Sequence, residues 1–197
     1  MYLLYEVIHP INKLFMKKIK ALVFLLFVFC LGGKAQLYFT KNGSVSFFSS
    51  TPMEDIRAGN NQVISILNTG SGEIQFSLLN NAFHFKKALM EEHFNEEYIE
   101  SAQYPKSTFK GTISNLKEVN FSKDGIYNIT VSGSLNLHGV TKSISVPGKL
   151  TVKGNSLSAS SVFKIRTKDY NIKIPAAVKN NIAETVELTV NCSYEKK

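Results

Sequence analysis

Residues 125–153 decide the fold of this chain, and they read GIYNITVSGSLNLHGVTKSISVPGKLTVK. From Tyr127 to Leu137 every second residue is apolar or glycine, and the residues between them are Asn, Thr or Ser. Alternation with a period of two is typical of a β-strand that has one buried and one solvated face. A second strand-like run, 142–153, follows directly, with an irregularity at Pro147-Gly148. The stretch therefore predicts two consecutive antiparallel strands.

The same alternation recurs along the rest of the chain. We predict strands at 44–49, 62–68, 72–79, 82–86, 108–117, 125–138, 142–153 and 156–165, with 184–194 as a ninth or closing strand. Turn signals such as Asn42-Gly43 and Lys123-Asp124-Gly125 separate the runs. Strands in this number, joined by short turns, favour an all-β fold in which an antiparallel sheet closes into an eight-stranded barrel.

The apolar face of each strand is expected to point into the lumen of this barrel, because the other face is rich in Ser, Thr, Asn and Lys. A barrel of this size is about wide enough either to be filled by side chains or to hold one small ligand. Gly111, Gly133, Ala159 and Ser161 fall in the inward phase and favour room for a ligand. We accordingly expect a side chain introduced at Gly133 to project into a cavity.

Residues 86–101 break the strand pattern. Largely apolar positions recur there at spacings of three to five, and five Glu residues fill much of the rest. The recurring positions are Leu89, Met90, His93, Phe94 and Ile99. This pattern predicts a short amphipathic helix that ends before Tyr104-Pro105 and lies over one end of the barrel as a lid. A lid with a function and a simple plug of the core are equal alternatives.

The N-terminus has the order of an export signal. Lys17, Lys18 and Lys20 precede the apolar run Ala21–Leu31, and small residues follow up to Ala35. A membrane-spanning helix needs about 20 residues, so this shorter run fits a cleaved signal peptide better than an anchor.

We therefore predict residues 1–35 as an N-terminal extension and signal peptide, with Met16 as an alternative start, and residues 36–197 as the barrel domain. The product would be periplasmic or secreted and would keep no stable membrane span.

The net charge of +8 is unevenly distributed. Five of the 23 basic residues and one of the 15 acidic residues precede Gln36, which leaves 18 basic and 14 acidic residues, a charge of only +4, for the rest. The basic excess belongs in part to the export signal, so we expect no nucleic-acid partner.

Residues that could carry chemistry are few. After export the chain keeps His84, His93, His138 and one cysteine, Cys192. The sequence contains neither the H-x-x-x-H or C-x-x-C spacing of zinc sites nor the G-x-S-x-G of serine hydrolases. We therefore predict no catalytic residue, no metal site and no cofactor. Cys192 lies in an apolar phase and is expected to be a buried hydrophobe.

Three separate elements of the sequence resemble the YceI-like family. Residues 93–111, which include Tyr104-Pro105, look like its "HL…FD…YP…F…G" core. Residues 131–142 (VSGSLNLHGVTK) resemble its "G-L-T-hydrophobic-(H/N)-G-V-T-(R/K)" element, and residues 163–170 resemble its "F-x-I-N-R-x-D-F-G" element. Val45-Ser46-Phe47 fits the opening strand of the family.

The resemblance covers roughly residues 38 to 194, and residues 89–95 are similar to a Bacteroidetes-type branch of the family. It implies a lipocalin-like barrel with a helix at one end and an exported protein that holds a long isoprenoid-type lipid in its lumen. One departure concerns the headgroup of that lipid. Thr167 stands where the family has Arg, so a headgroup contact made by that Arg would be missing here.

We expect this lipid, an apolar isoprenoid-like ligand, to contact inward-facing residues of the strands and two residues of the lid. They are Phe76, Phe83, Phe85, Phe109, Ile129, Val131, Leu135, Leu137 and Phe163 in the lumen, with Phe94 and His93 in the lid. We also expect the ring of His93 to hold the lid in place by a hydrogen bond to a neighbouring polar group.

Two other functions stay open from the sequence. One is a barrel-based hydrolase or isomerase that uses His93 as its base, and the other is an interaction protein with a filled core. A homodimer also stays open as an assembly state.

Overall fold

Nine β-strands and one short α-helix are described by a computed structural model, which covers residues 36–197. The strands are β1 (Leu37–Ser50), β2 (Asp55–Asn68), β3 (Glu73–Leu79), β4 (His84–Phe85), β5 (Lys106–Ile113), β6 (Gly125–Leu137), β7 (Val140–Lys153), β8 (Ser156–Arg166) and β9 (Thr185–Lys196). Helix α1 is Ala88–His93, and a π-helical turn, Phe94–Tyr98, continues it. Single 3₁₀ turns lie at Asn80–Ala82, Leu116–Glu118, Thr167–Tyr170 and Ala176–Val178.

Eight of the strands form a closed antiparallel barrel in the order β1-β9-β8-β7-β6-β5-β3-β2, and β2 pairs with β1 to complete it. The predicted eight-stranded barrel with a short helix is therefore confirmed. The predicted run 184–194 is the closing strand β9, which pairs with both β1 and β8.

The prediction of a barrel strand at 82–86 is wrong. Only His84–Phe85 is extended there, and it pairs with β2 outside the closed cycle. Asn80 explains the departure from β3. Its side-chain amide donates to the carbonyl oxygen of Tyr104 at 2.6 Å, and its side-chain oxygen accepts from the hydroxyl of Ser107 at 2.7 Å. A buried polar side chain such as that of Asn80 needs hydrogen-bond partners. Because these partners lie at Tyr104 and Ser107, the bonds fix the turn that follows β3.

The predicted turn at Asn42-Gly43 is also wrong, because both residues lie inside β1. The register between β1 and β2 shifts on either side of Gly43, which marks a β-bulge. A Cβ atom at Gly43 would lie 2.8 Å from the sulfur of Cys192 and 3.3 Å from the Cβ of Val63. The glycine is needed here because the thiol and the neighbouring strand approach the backbone closely.

The connections divide the barrel into two ends. At one end, the closed end, β2–β3 and β7–β8 are joined by short turns, and residues 114–124 connect β5 to β6. At the other end, the mouth, the connections are residues 51–54, 80–105, 138–139 and 167–184. We call residues 87–101 the lid and residues 167–184 the flap.

The half of the barrel next to the closed end is filled by side chains. Leu67 and Leu150 are completely buried at its centre. Leu116, Val119 and Phe121 from the β5–β6 connection pack against this core from outside the strands. The closed half is therefore packed as a conventional hydrophobic core.

The half of the barrel next to the mouth is less fully closed by strand pairing, because two seams between strands separate there. β6 and β7 stay paired from Gly125↔Val152 to Leu137↔Val140, whereas β7 and β8 pair only between Lys149 and Lys153 of β7. Likewise, β2 and β3 pair only from Ile64 to Leu67 of β2. Pro147 lies where the β7–β8 pairing ends, and it has no N–H to donate to a neighbouring strand.

The predicted signal peptide, residues 1–35, lies outside the described residues and stays a prediction. Among residues 36–197, no helix is long and apolar enough to cross a membrane.

Candidate ligand cavity

A cavity of about 420 Å³ occupies the mouth half of the barrel. Its wall is almost entirely apolar and draws on all eight barrel strands, on the lid and on the flap. The volume lies within the range of small-molecule pockets, about 300–1,000 Å³. The hypothesis of a filled core therefore fails for this half of the barrel.

All eleven residues predicted to contact a ligand line this cavity. They are Phe76, Phe83, Phe85, His93, Phe94, Phe109, Ile129, Val131, Leu135, Leu137 and Phe163. The strand positions among them share one face because side chains alternate along a strand. Contact between each residue and a bound molecule stays a prediction.

Gly111 and Gly133 do not open space for a ligand, which corrects the expectation from the sequence. They face each other across β5 and β6, and the ring of Phe109 covers both. A Cβ atom at Gly133 would lie 2.3 Å from the carbonyl oxygen of Lys110 and 2.7 Å from the Phe109 ring. The two glycines allow the Phe109 ring to lie against the strands, and this ring fills the space that their side chains would have taken. Ala159 and Ser161, by contrast, line the cavity.

Four phenylalanine rings form one cluster under the lid. Phe47, Phe83, Phe85 and Phe94 have ring centroids 5.1–5.7 Å apart in tilted, edge-on and stacked pairs. Such pairs add stability beyond the burial of their surface. The sequence prediction missed Phe47 as a lining residue, although it alternates in phase with Val45 in β1.

The flap supplies a second group of lining residues that the sequence prediction missed. Ile172, Ile174, Val178, Asn181 and Ile182 all face the cavity. The alternation of Ile172 and Ile174 was a signal for this placement, but the flap has no regular period beyond it. The lid and the flap therefore close the mouth together.

Polar groups are sparse along the wall. Of the described residues, Glu54 is the one carboxylate that lines the cavity, and no Lys or Arg does so. A hydrogen bond from Lys87, and to a lesser extent one from Asn181, holds the pKa of Glu54 below its ordinary value of 4.5. Thr167 lines the cavity, whereas Arg166 is exposed and pairs with Asp169 at 2.8 Å. The cavity thus has no cation at the position where the family resemblance places an arginine.

The prediction that the ring of His93 holds the lid by a hydrogen bond is wrong. Its ring faces the apolar cavity and forms no hydrogen bond with another described residue. His138 holds the lid instead, since its Nε2 lies 2.7 Å from a carboxylate oxygen of Glu100. Its Nδ1 lies 3.0 Å from the carbonyl oxygen of Tyr170 in the flap. The sequence prediction missed this role because it depends on the turn conformation of His138.

Among the described residues, the titratable and nucleophilic side chains that line the cavity are one carboxylate, one histidine and several hydroxyl groups. Among residues 36–197, no three His, Cys, Asp or Glu side chains are close enough to hold a metal ion. Burial raises the pKa of the Cys192 thiol to about 11, which keeps it protonated and unreactive near neutral pH. The lining hydroxyl groups, such as Ser49, Ser107 and Ser161, form hydrogen bonds to partners other than His93. The arrangement is suited to holding an apolar molecule.

Comparison with solved structures identifies the same barrel in three bacterial proteins. A polyisoprenoid-binding domain from Saccharophagus degradans, implicated in plant cell wall breakdown, matches with a TM-score of 0.71 and 18% identity, over 83% of this chain and 100% of that domain. BcnA from Burkholderia cenocepacia matches with a TM-score of 0.64 and 15% identity, over 77% of this chain and 95% of BcnA. The YceI protein of Campylobacter jejuni matches with a TM-score of 0.52 and 12% identity, over 71% of this chain and 84% of that protein. At these identities the likeness shows the fold alone.

The sequence itself matches the model of the YceI-like domain family over residues 36–194, which is most of the chain. No curated protein matches it. The Bacteroidetes-type branch is not tested by these matches and stays a prediction. The match covers the barrel with its lid and flap, apart from the last two residues of β9, so this chain belongs to the YceI-like domain family.

Proposed function

We propose that this protein binds one long apolar lipid of the isoprenoid type, non-covalently, in the mouth half of its barrel, and performs no reaction on it. The observation that carries the proposal is the cavity itself, which has an apolar wall, lies next to a filled half of the barrel and is lined by the lid and the flap. The fold is also that of a protein described as a polyisoprenoid-binding domain.

The energy for such binding would come from removing apolar surface of the lipid from water. That transfer contributes about 25 cal/mol per Å² of buried surface. The entropy lost on association and on ordering a flexible lipid chain opposes this gain in free energy. A preformed cavity reduces this opposing cost, because the wall does not have to assemble around the ligand. The aromatic cluster beneath the lid offers rigid surface for the isoprenoid chain.

The polar end of the lipid is expected to be uncharged. A phosphate or pyrophosphate end would need a cation, and no described Lys or Arg lines the cavity. The nearby ammonium of Lys87 is already paired with the carboxylate of Glu54 at 2.9 Å, so the mouth offers an anion no unpaired charge from this residue. The ring of His93 lies at the same surface, has no hydrogen bond to another described residue, and can donate or accept one. We also infer that the protein acts after export, in the periplasm or outside the cell.

Mass spectrometry of an organic extract of the purified protein tests the proposal directly. We expect a stoichiometric lipid with an isoprenoid chain. In parallel, the dye N-phenyl-1-naphthylamine, which is neutral and fluoresces in apolar surroundings, should bind and be displaced by geranylgeraniol. Geranylgeranyl phosphate should displace it only at a higher concentration. An extract without lipid, together with a dye that stays dark, would refute the proposal, and equal displacement by the phosphate would refute an uncharged polar end.

A further inference from the structure

Two side chains, each from a hairpin connection at the mouth, join the lid to the flap. His138, between β6 and β7, contacts Glu100 of the lid and the carbonyl of Tyr170 in the flap. Glu54, between β1 and β2, contacts Lys87 at the start of the lid and Asn181 in the flap. The lid and the flap are therefore held together at two points, which differ in the length of their hydrogen bonds and in the exposure of the basic side chain.

The contact at His138 is short, and its imidazole is shielded from water, although the side chain of Glu100 is 42% exposed. His138 is 7% exposed, and its two ring nitrogens lie 2.7 Å and 3.0 Å from their partners. Because a carbonyl oxygen only accepts, Nδ1 donates to Tyr170, while Nε2 lies within hydrogen-bond distance of the carboxylate of Glu100. The ring of Tyr104 packs edge-on against the imidazole, with centroids 4.4 Å apart.

The backbone around His138 is also specialised. Glu100, His138 and Asn171 have φ angles of 47°, 50° and 57°, which place three non-glycine residues in the left-handed region. Each belongs to a different connection, and all three lie at or next to a member of this hydrogen-bonded group. Such conformations persist only where surrounding contacts hold them. The group at His138 is thus a fixed junction of the lid, the β6–β7 turn and the flap.

The contact at Glu54 is open to water. Lys87 Nζ lies 2.9 Å from a carboxylate oxygen of Glu54, and the two side chains are 66% and 25% exposed. Asn181 donates to the other oxygen across 3.4 Å, which is long for a hydrogen bond. An ion pair this exposed contributes little to stability and is screened by salt.

We propose that the lid and the flap open at Glu54 and stay joined at His138, so that Glu54, Lys87 and Asn181 form the gate of the cavity. Glu54 and Asn181 line the cavity, whereas His138 and Glu100 do not. Separation at the weaker contact would therefore expose the aromatic cluster under the lid, since Phe85 of that cluster lies two residues before Lys87. This inference rests on the proposed function for its purpose, but the motion itself can be measured without a ligand.

The gate is tested first by the rates of dye exchange. Lys87→Met removes the ammonium group, and Lys87 does not line the cavity, so the variant acts on the gate. We expect association and dissociation of N-phenyl-1-naphthylamine in stopped-flow measurements to accelerate in parallel, by about two- to fivefold. High salt should bring the wild type toward the variant. Asp169→Asn is the matched control, because it breaks a pair of similar length and exposure between Arg166 at the end of β8 and the flap, without touching the lid.

Hydrogen exchange tests the gate without any ligand. Lys87→Met should accelerate exchange of the amides of residues 88–93 and leave those of residues 99–104 unchanged. His138→Asn should accelerate residues 99–104, and Asn tolerates the left-handed backbone of that position. Unchanged exchange at residues 88–93 in Lys87→Met would overturn the gate even if the dye binds. A dye that does not bind would refute the proposed function, while the exchange data still decide the gate.

A second way into the cavity would lie at the seam between β7 and β8. There the hydroxyl of Ser161 donates to the carbonyl oxygen of Pro147 at 2.6 Å, beyond the last strand pair. If Ser161→Ala accelerates dye exchange and Lys87→Met does not, the entrance is at this seam and the proposed gate is wrong.

Discussion

The two halves of this barrel use the same eight strands, yet their leucines have different surroundings. In the closed half, Leu67 and Leu150 have no exposed surface. In the mouth half, Leu135 and Leu137 occupy equivalent inward positions of β6 but face the cavity and stay only partly buried. The difference arises from strand pairing, because the β2–β3 and β7–β8 seams are joined only near the closed end. Folding stability and the candidate function are therefore expected to depend on different parts of one sheet.

The largest effect is expected from truncation in the closed half. Leu150→Ala should lower the free energy of unfolding by about 2–5 kcal/mol, since it removes buried surface and leaves a void in a packed core. Leu137→Ala enlarges a cavity that already exists, so its cost should be nearer 1–2 kcal/mol, mainly the lost transfer energy. Urea denaturation of both ligand-free variants measures the difference. Equal losses would contradict the division into a filled and an open half.

The next effect concerns the border between the halves, where Phe109 covers Gly133. Gly133→Ala should cost about 1–3 kcal/mol, because the new methyl group meets the backbone of β5 and the ring of Phe109. Gly59→Ala is the matched control, since a Cβ atom at Gly59 would have no neighbour within 4 Å. If Gly133→Ala is as stable as the wild type and instead reduces dye binding, the space above Gly133 belongs to the cavity after all.

Much of the barrel could be predicted from the sequence because a strand exposes its two faces at every second residue. Ile129, Val131 and Leu135 follow from that alternation directly. The alternation does not show which side chain fills the space next to a glycine. Phe109 reaches Gly133 from the neighbouring strand, and that contact depends on the register between β5 and β6.

The parts of the candidate site outside the strands were harder to predict for a related reason. The lining residues of the flap follow an irregular path, so no period identifies them. The sequence prediction gave His93 the hydrogen-bonding role that His138 has in the structure, and this error has a different cause. A helical pattern placed His93 correctly on the inner face of the lid, but the partners of His138 lie in two connections that are distant in sequence.

The smallest effect in this comparison concerns alkaline pH, and it belongs to the closed half. Burial raises the pKa of Cys192 from its ordinary value of 9.0 to about 11. Burial also raises the pKa of Tyr194, whose hydroxyl is hydrogen-bonded to Ser65 at 2.8 Å. A raised folded-state pKa means that the unfolded chain loses its proton first. The stabilising contribution is therefore complete below pH 9 and is lost as the pH rises toward 11.

For Cys192 alone, this linkage should lower the free energy of unfolding by about 1 kcal/mol between pH 8 and pH 10. Denaturation of the wild type and of Cys192→Ala at both pH values measures it, because the variant lacks the thiol and should show a shallower decline. The mouth should not share this loss, so the rates of dye exchange should change little over the same interval while the protein stays folded. If the two proteins decline equally, the Cys192 thiol does not titrate with unfolding, and its place in a dry, filled core would be contradicted.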